Sequence, residues 1–598
     1  MDTESDQPRV GGDLEKLNAN IARIEELSQR MVAALSHKRN IEPGLQGPGQ
    51  DLFVRAASAY MAEMMSNPTK ILEHQVSYWG KTLKHYVDAQ QVLASGRLVA
   101  PEDPTPADRR FASELWQTHP YFNWIKQQYM LSAEAVSEAV EDIEHLSLKD
   151  KQRLRYFSRQ IVDMFSPANF LGTNPDALAR AVETDGESLV AGLENLVRDL
   201  EANDGDLIVT LADKNAFRVG ENLATTSGKV VFRNRMMELI QYAPTTDKVF
   251  KTPLIIFPPW INKFYIMDLK EKNSLIKWIV DQGYTLFVVS WVNPDPSYRD
   301  TGMDAYVEEG YIAAIDEVKK ITGEDKVNAV GYCIAGTTLS ATLSVLKQRG
   351  DKSVRSATFF TTLTDFSDQG EVGVFLEDDF VDAIEDEVSR EGILDSFYMS
   401  ATFSFLRSND LIYAPAIKSY MMGEAPPAFD LLYWNGDGTN LPARMAVEYL
   451  RGLCQGDKLA LGTFPLLGTN ARLADVDVPV CSIACETDHI AAWRSAYRGV
   501  QGMGSRSKTF ILSQSGHIAG IINPPSKQKY GHYTHEDMTL APDDWKASAT
   551  FHEGSWWPRW HDWLKTRAGA KVAARQPGDA SHPALCDAPG TYVLSEEV

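Results

Sequence analysis

The most constraining feature of this chain is the stretch VNAVGYCIAGTTLS at residues 327–340. A short apolar run, Val327 to Val330, leads into Gly331-Tyr332-Cys333-Ile334-Ala335-Gly336, and a helix-compatible stretch follows from Thr337. A strand that turns into a helix within so few residues brings two backbones together, so small residues must flank the turn. The residue at the apex is then held above the sheet edge, with a helix N-terminus behind it. A cysteine there is favoured as thiolate, and the Ile334 backbone N–H is placed to meet a developing oxyanion. The competing reading, a buried structural cysteine, does not account for the strand, the flanking small residues and the helix together.

A cysteine in such an elbow needs a base and an acid to orient it, and in this kind of turn they follow later in the chain, acid before histidine. Asp488 follows the β-rich run VPVCSIAC (478–485) in the loop ETDHI, and His517 follows KTFILS (508–513) in QSGHIAG. Each stands just past the C-terminal end of an expected strand, where open α/β sheets build their sites. His489 competes with His517 because it adjoins Asp488, but adjacent loop residues tend to point apart. The HYTH segment, His532 to His535, lacks the i, i+4 helical spacing of a zinc-binding histidine pair, so no metal is expected.

The surrounding texture fits this chemistry. After the acidic EANDGD (201–206), β-branched runs alternate with helical stretches: KVVF, PLIIF, YTLFVVS, a helix over 303–321, KVNAV, SATFFTT, VPVCSIAC and KTFILS. That alternation implies a mostly parallel sheet covered on both faces. The stretch 366–470, rich in Phe, Tyr, Met and acidic residues, interrupts it as an inserted cap would. Residues 51–205 carry apolar residues at three- and four-residue intervals, as in LFVRAASAYMAEMM and ILEHQVSYWGKTLKHYVDAQQVL, and read as a helical domain. Residues 1–50 read as a mobile polar arm ending in EPGLQGPGQ. The expected fold is therefore α/β, an α/β-hydrolase fold over 206–598 with a cap at about 366–470, preceded by a mainly helical N-terminal domain.

Composition narrows the partners. With 59 Lys and Arg against 81 Asp and Glu, the formal net charge is -22, which argues against nucleic acid. Five cysteines in 598 residues make no disulfide framework, and Cys481 and Cys485 read as core thiols in an apolar strand. The acidic start lacks the apolar core of a secretory signal, and no run approaches the roughly 18 apolar residues of a membrane span. A cytoplasmic location is expected. A thiolate that attacks a thioester exchanges one thioester for another, so the acyl group stays activated for a second transfer. Cysteine therefore suits a transferase that acts on acyl-CoA.

Taken together, these residues resemble the polyhydroxyalkanoate synthases, specifically the long single-subunit kind called class I. GYCIAG resembles the family elbow G-[YF]-C-x-G-G, and FPPWINKFYIMDL (257–269) the signature P-P-x-I-N-K-[YF]-Y-I-x-D-L. SWVNPD (290–295), FSFLRSNDL (403–411), PPAFDLLYWNGDGTNLP (426–442), DHIAAW (488–493), SGHIAGIINPP (515–525) and GSWWPRW (554–560) do the same. So do DRRFASELWQTHPYF (108–122) and SPANFLGTNPDAL (166–178). The resemblance implies that (R)-3-hydroxyacyl-CoA acylates Cys333 with loss of CoA and that a 3-hydroxyl then attacks an acyl thioester, extending a polyester. It implies Cys333 as nucleophile, His517 as base, Asp488 as acid and the Ile261 N–H as second oxyanion donor. Trp434 is implied at the dimer surface or substrate path, with core packing as the alternative. Arg407 is implied at the CoA phosphates, with an exposed salt bridge as the alternative. A homodimer at the surface of polyester granules, with granule-associated proteins as partners and no cofactor beyond the CoA substrate, completes the expectation.

Two residues depart from the family pattern. Ala335 replaces the usual glycine two residues after the nucleophile, and Trp260 fills the variable place before Ile261, where its ring is expected to favour short acyl chains such as 3-hydroxybutyryl. Two other functions stay open on sequence alone. One is a thiol-dependent thioesterase or polyester hydrolase on the same fold; the other is a catalytically degenerate granule-binding protein.

Overall fold

A computed structural model describes residues 10–36, separate positions between 54 and 87, residues 107–144 and residues 146–595, with side chains described from residue 19 onward. The chain divides into two compact units, one of residues 1–213 with 403–427, the other of residues 214–402 with 428–598.

The first unit is helical. Its described helices include α1 (Val10–Ser36), α2 (Pro120–Glu141), α3 (Leu148–Met164) and α4 (Glu187–Ala202). Proline at the first position of α2 costs no hydrogen bond, and the Ser147 hydroxyl caps α3 by accepting the Asp150 N–H at 3.0 Å. Residues 10–36, expected as part of a mobile arm, are instead helix α1. Leu27 packs with Val190 and Val197 of α4, Arg30 pairs with Glu201 at 2.7 Å, and Arg23 pairs with Glu194. Much of the expected helical pattern between 52 and 93 lies outside the described residues. The expected cap is divided, because 403–427 joins this helical unit. There Tyr420 Oη donates to the buried Asp199 at 2.8 Å, and Asn195 Nδ2 donates to the carbonyls of Ser419 and Glu424, each at 3.0 Å.

The second unit is built on an eleven-stranded sheet. In chain order its strands are β1 (Gly228–Arg233), β2 (Met237–Tyr242), β3 (Leu254–Phe257), β4 (Leu286–Trp291), β5 (Val327–Tyr332), β6 (Val354–Phe360), β7 (Val480–Cys485), β8 (Lys508–Ser513), β9 (His532–Thr534), β10 (Thr550–His552) and β11 (Cys586–Asp587). Their spatial order is β10-β9-β8-β7-β6-β5-β3-β4-β2-β1-β11. The strands from β8 across to β4 pair in parallel, and both edges are antiparallel. Every residue of β3, β4, β5 and β7 is buried, so these strands carry continuous rather than alternating apolar runs. The helices α5 (Leu275–Asp281), α6 (Ile334–Gln348), α7 (Trp493–Gly502) and α8 (Trp557–Lys565) belong to this unit.

Two details differ from the sequence reading. β2, like the short edge strands β9, β10 and β11, has no counterpart among the expected strands. β2 buries Glu238 and Gln241 in the sheet: Glu238 accepts from Arg233 Nε of β1 at 2.8 Å and from the N–H groups of Thr591 and Tyr592 in the far C-terminal segment, where Gln241 pairs with Gln576 and Gly578. Helix α6 starts at Ile334, not Thr337, because the whole turn is made at Cys333.

Candidate active site

β5 runs through the middle of the sheet and delivers Cys333 at its C-terminal end, where parallel sheets place reactive groups. Cys333 has φ 55° and ψ -127°, a conformation that residues with a Cβ rarely adopt. Its N–H donates to the Phe360 carbonyl at 2.7 Å, and its carbonyl accepts the Gly336 N–H at 2.9 Å and the Thr362 hydroxyl at 3.1 Å. These bonds hold the strained residue from both sides. The close approach that demands small residues lies between Gly331 and Gly336. A Cβ on Gly331 would lie 2.5 Å from the Gly336 Cα, and one on Gly336 would overlap the Thr362 side chain. Ala335 is fully buried without such a conflict, and its carbonyl accepts the Tyr311 hydroxyl at 2.8 Å.

Asp488 and His517 leave the ends of β7 and β8, paired parallel strands. The Asp488 side chain is buried. Its Oδ1 accepts the N–H groups of Ile490 and Ala491, each at 2.8 Å, and its Oδ2 accepts from His517 Nδ1 at 2.7 Å. Nε2 is the nitrogen left free by the bond to Asp488, and Cys333 is close enough to act on the His517 charge. Burial by itself pushes the His517 imidazole down; the negative charge of Asp488, and then Cys333, reverse this and hold it well above its ordinary value. The turn bearing His517 is shaped by Ser515 at φ 76° and closed by Gly520 N–H on the Gly516 carbonyl at 2.9 Å. Two indoles just before and within α8 brace it: Trp556 Nε1 donates to the Gly520 carbonyl and Trp557 Nε1 to the Ile521 carbonyl, both at 2.8 Å. That gives the paired tryptophans of GSWWPRW a physical task, one that the segment alone did not reveal.

Ile261 sits, buried, in the loop after β3. The loop is held on several sides. Trp291 Nε1 donates to the Pro258 carbonyl at 2.8 Å, the Ile261 carbonyl accepts the Thr439 N–H at 3.2 Å, and Trp434 Nε1 donates to the Lys263 carbonyl at 2.7 Å. Lys263 and Tyr265 both reach Asp437, at 2.6 and 2.7 Å. Trp434 thus lies in the apolar core and ties down this loop. Trp260 is fully buried, tilted against Tyr306 and edge-on to Tyr449. Arg407 belongs to the helical unit, where it is exposed and paired with Asp410. In the HYTH segment, both nitrogens of His532 are engaged, Nδ1 with the Gly554 carbonyl and Nε2 with Arg559; burial first, with Arg559 and His552 adding, pushes its pKa down to about 4. Cys481 and Cys485 are buried in β7.

A sheet of this order, with a strained cysteine at the turn from β5 into α6 and an Asp–His pair beyond β7 and β8, defines an α/β-hydrolase fold. Residues 253–524 match the family model of the alpha/beta hydrolase fold, and residues 107–279 match that of the poly-beta-hydroxybutyrate polymerase (PhaC) N-terminus. The chain is 40% identical, over 99% of both chains, to the poly(3-hydroxyalkanoate) polymerase of Methylorubrum extorquens. It is 37% identical to the PhaC subunit of Rhizobium meliloti (99% of this chain, 97% of the relative) and 40% identical to that of Cupriavidus necator (86% and 87%). The chain belongs to the poly(3-hydroxyalkanoate) polymerase family.

Proposed function

We propose that this chain polymerises (R)-3-hydroxyacyl-CoA, with 3-hydroxybutyryl-CoA as the expected substrate, into polyhydroxyalkanoate with release of CoA through an acyl-Cys333 intermediate. The observation that carries the reading is the elbow cysteine facing an Asp488-held His517, in a chain whose relatives bear the name of such polymerases. In the first half-reaction the Cys333 proton passes to His517 Nε2 and the sulfur adds to the thioester carbonyl. The oxyanion is met by the Ile334 and Ile261 N–H groups. Collapse expels the CoA sulfur, which takes the proton from the imidazolium, leaving acyl-Cys333. In the second, a 3-hydroxyl attacks an acyl thioester, its proton goes to His517, an ester C–O bond forms as the C–S bond breaks, and the departing sulfur takes the proton back from the imidazolium. Asp488 holds the ring so that Nε2 faces the reaction, and stabilises the imidazolium. The family membership extends the reading to a homodimer at the polyester granule surface, with granule-associated proteins as partners.

Purified protein mixed with (R)-3-hydroxybutyryl-CoA, with CoA release and turbidity followed together, tests the proposal against Cys333→Ala. CoA release with insoluble polyester, both lost in the variant, is expected. Release with only free 3-hydroxybutyrate would assign a hydrolase. No turnover with either this substrate or its C8 analogue would leave a granule-binding protein.

A further inference from the structure

Trp260 occupies a variable place in its motif, and its buried indole N–H must find a partner inside the protein. The partner is Thr338 on the first turn of α6, at 3.1 Å from Nε1 to Oγ1. The Thr338 hydroxyl in turn reaches two acceptors, the Ile334 carbonyl at 3.2 Å and the weaker Met303 Sδ at 3.7 Å. One hydroxyl therefore links the loop before Ile261 to the residue that follows the nucleophile. Two further bonds complete the frame: Trp291 holds Pro258 on the other side of Trp260, and Tyr311 Oη holds the Ala335 carbonyl. Tyr306 lies between the two indoles, its ring 5.7 Å from that of Trp260 and 5.5 Å from that of Trp291.

We propose that Trp260 and Thr338 are positioning residues whose hydrogen bond sets the Ile261 N–H against the Ile334 N–H, so that both meet one oxyanion. The inference rests on the acyl-transfer reading of Cys333 above. Backbone donors on two separate elements stabilise a developing charge only at the right separation, and a displacement of about 1 Å can cost roughly 100-fold in rate. A phenylalanine at 260 would fill most of the space but leave Thr338 without its donor. A valine at 338 keeps the shape of threonine and removes the relay.

The test compares Thr338→Val, Thr338→Ser and Trp260→Phe in the full chain. Acyl transfer is read as CoA release from (R)-3-hydroxybutyryl-CoA and as p-nitrophenol release from p-nitrophenyl acetate. Alkylation of Cys333 by iodoacetamide, followed on the Cys333 peptide, supplies the control, because sulfur displaces iodide there without forming a carbonyl oxyanion. The expected result is a loss of kcat of roughly 10- to 100-fold in Thr338→Val and Trp260→Phe, with KM and the alkylation rate changed by less than about twofold and Thr338→Ser restored close to the parent. Acyl transfer within about twofold of the parent in both variants, or alkylation slowed as much as acyl transfer, would overturn the inference. Trp260→Phe alone decides it if Thr338→Val is not recovered folded. A parent that releases p-nitrophenol but no CoA would defeat the synthase reading, and the positioning role would then be judged on the ester.

Discussion

At Cys333 the backbone strain, of order 1–3 kcal/mol, is sustained by hydrogen bonds from three neighbouring residues. The elbow places its strictest steric demand at Gly336, where a methyl would overlap Thr362, and tolerates one at Ala335. Gly336→Ala is therefore expected to abolish measurable CoA release. Ala335→Gly is expected to keep the rate within about threefold while lowering stability by about 0.5–1 kcal/mol, read by denaturant titration. Asp488 is the second decisive residue. Asp488→Asn should lower CoA release by roughly 1,000-fold or more, since it removes both the ring's orientation and the charge that supports the imidazolium. The same substitution carries a pH signature. Because the folded-state pKa of His517 is raised, its contribution to stability is complete below its ordinary value and lost as pH rises through the raised one. The variant's deficit in thermal midpoint, followed across an acid-to-alkaline series, should thus be largest below the ordinary histidine value of about 6.5 and shrink as pH rises through the raised one. An equal deficit at both ends would contradict the pairing. Cys333, Asp488 and His517 could all be singled out from chain order and loop placement, because each follows a local strand signal. The bracing residues Trp291, Tyr311, Thr338, Asp437 and Trp556 could not, because nothing in their local sequence says which distant group they will meet.

Among the elements, α1 shows how the N-terminal stretch becomes ordered. Its outer face mixes charged residues with exposed Ile21, Ile24, Val32 and Leu35, but Leu27 and Met31 lie at helical spacing, and this stripe meets Val190, Leu193 and Val197 of α4. Ion pairs from Arg23 and Arg30 flank the contact, and being half exposed they add little beyond register. Leu27→Ala should destabilise this contact by about 2 kcal/mol or more. Hydrogen exchange in residues 19–36 should quicken accordingly, while CoA release stays unchanged. Unchanged exchange would mean that the stripe does not hold the helix. β2 makes the opposite point. Its buried Glu238 and Gln241 disguised it as a non-strand, because much of what satisfies them, Arg233 aside, lies more than three hundred residues away.

For the whole molecule, the net charge of -22 sets the long-range field against an anionic CoA thioester. At low ionic strength the Debye length is about 30 Å at 0.01 M, falling to about 8 Å at 0.15 M. Over that range kcat/KM for 3-hydroxybutyryl-CoA is expected to rise by a few-fold as repulsion is screened. A fall would show that cations near the thioester's route outweigh the overall charge. Among the described residues, no helix is long and apolar enough to cross a membrane.

Local signals were enough for much of this protein. Period, turn chemistry and small residues around Cys333 specified the parallel sheet, the elbow, and the order of cysteine, aspartate and histidine, since each depends on neighbours a few residues away. Tertiary structure decided the rest. It made Gly336 rather than Ala335 the tight position, converted residues 10–36 from arm to helix and gave 403–427 to the helical unit. It also seated Trp260 and Trp434 as hydrogen-bonded members of the frame around Ile261. In each case the outcome rests on a contact between segments distant in the chain, where burial removes water as a partner and a specific neighbour must take its place.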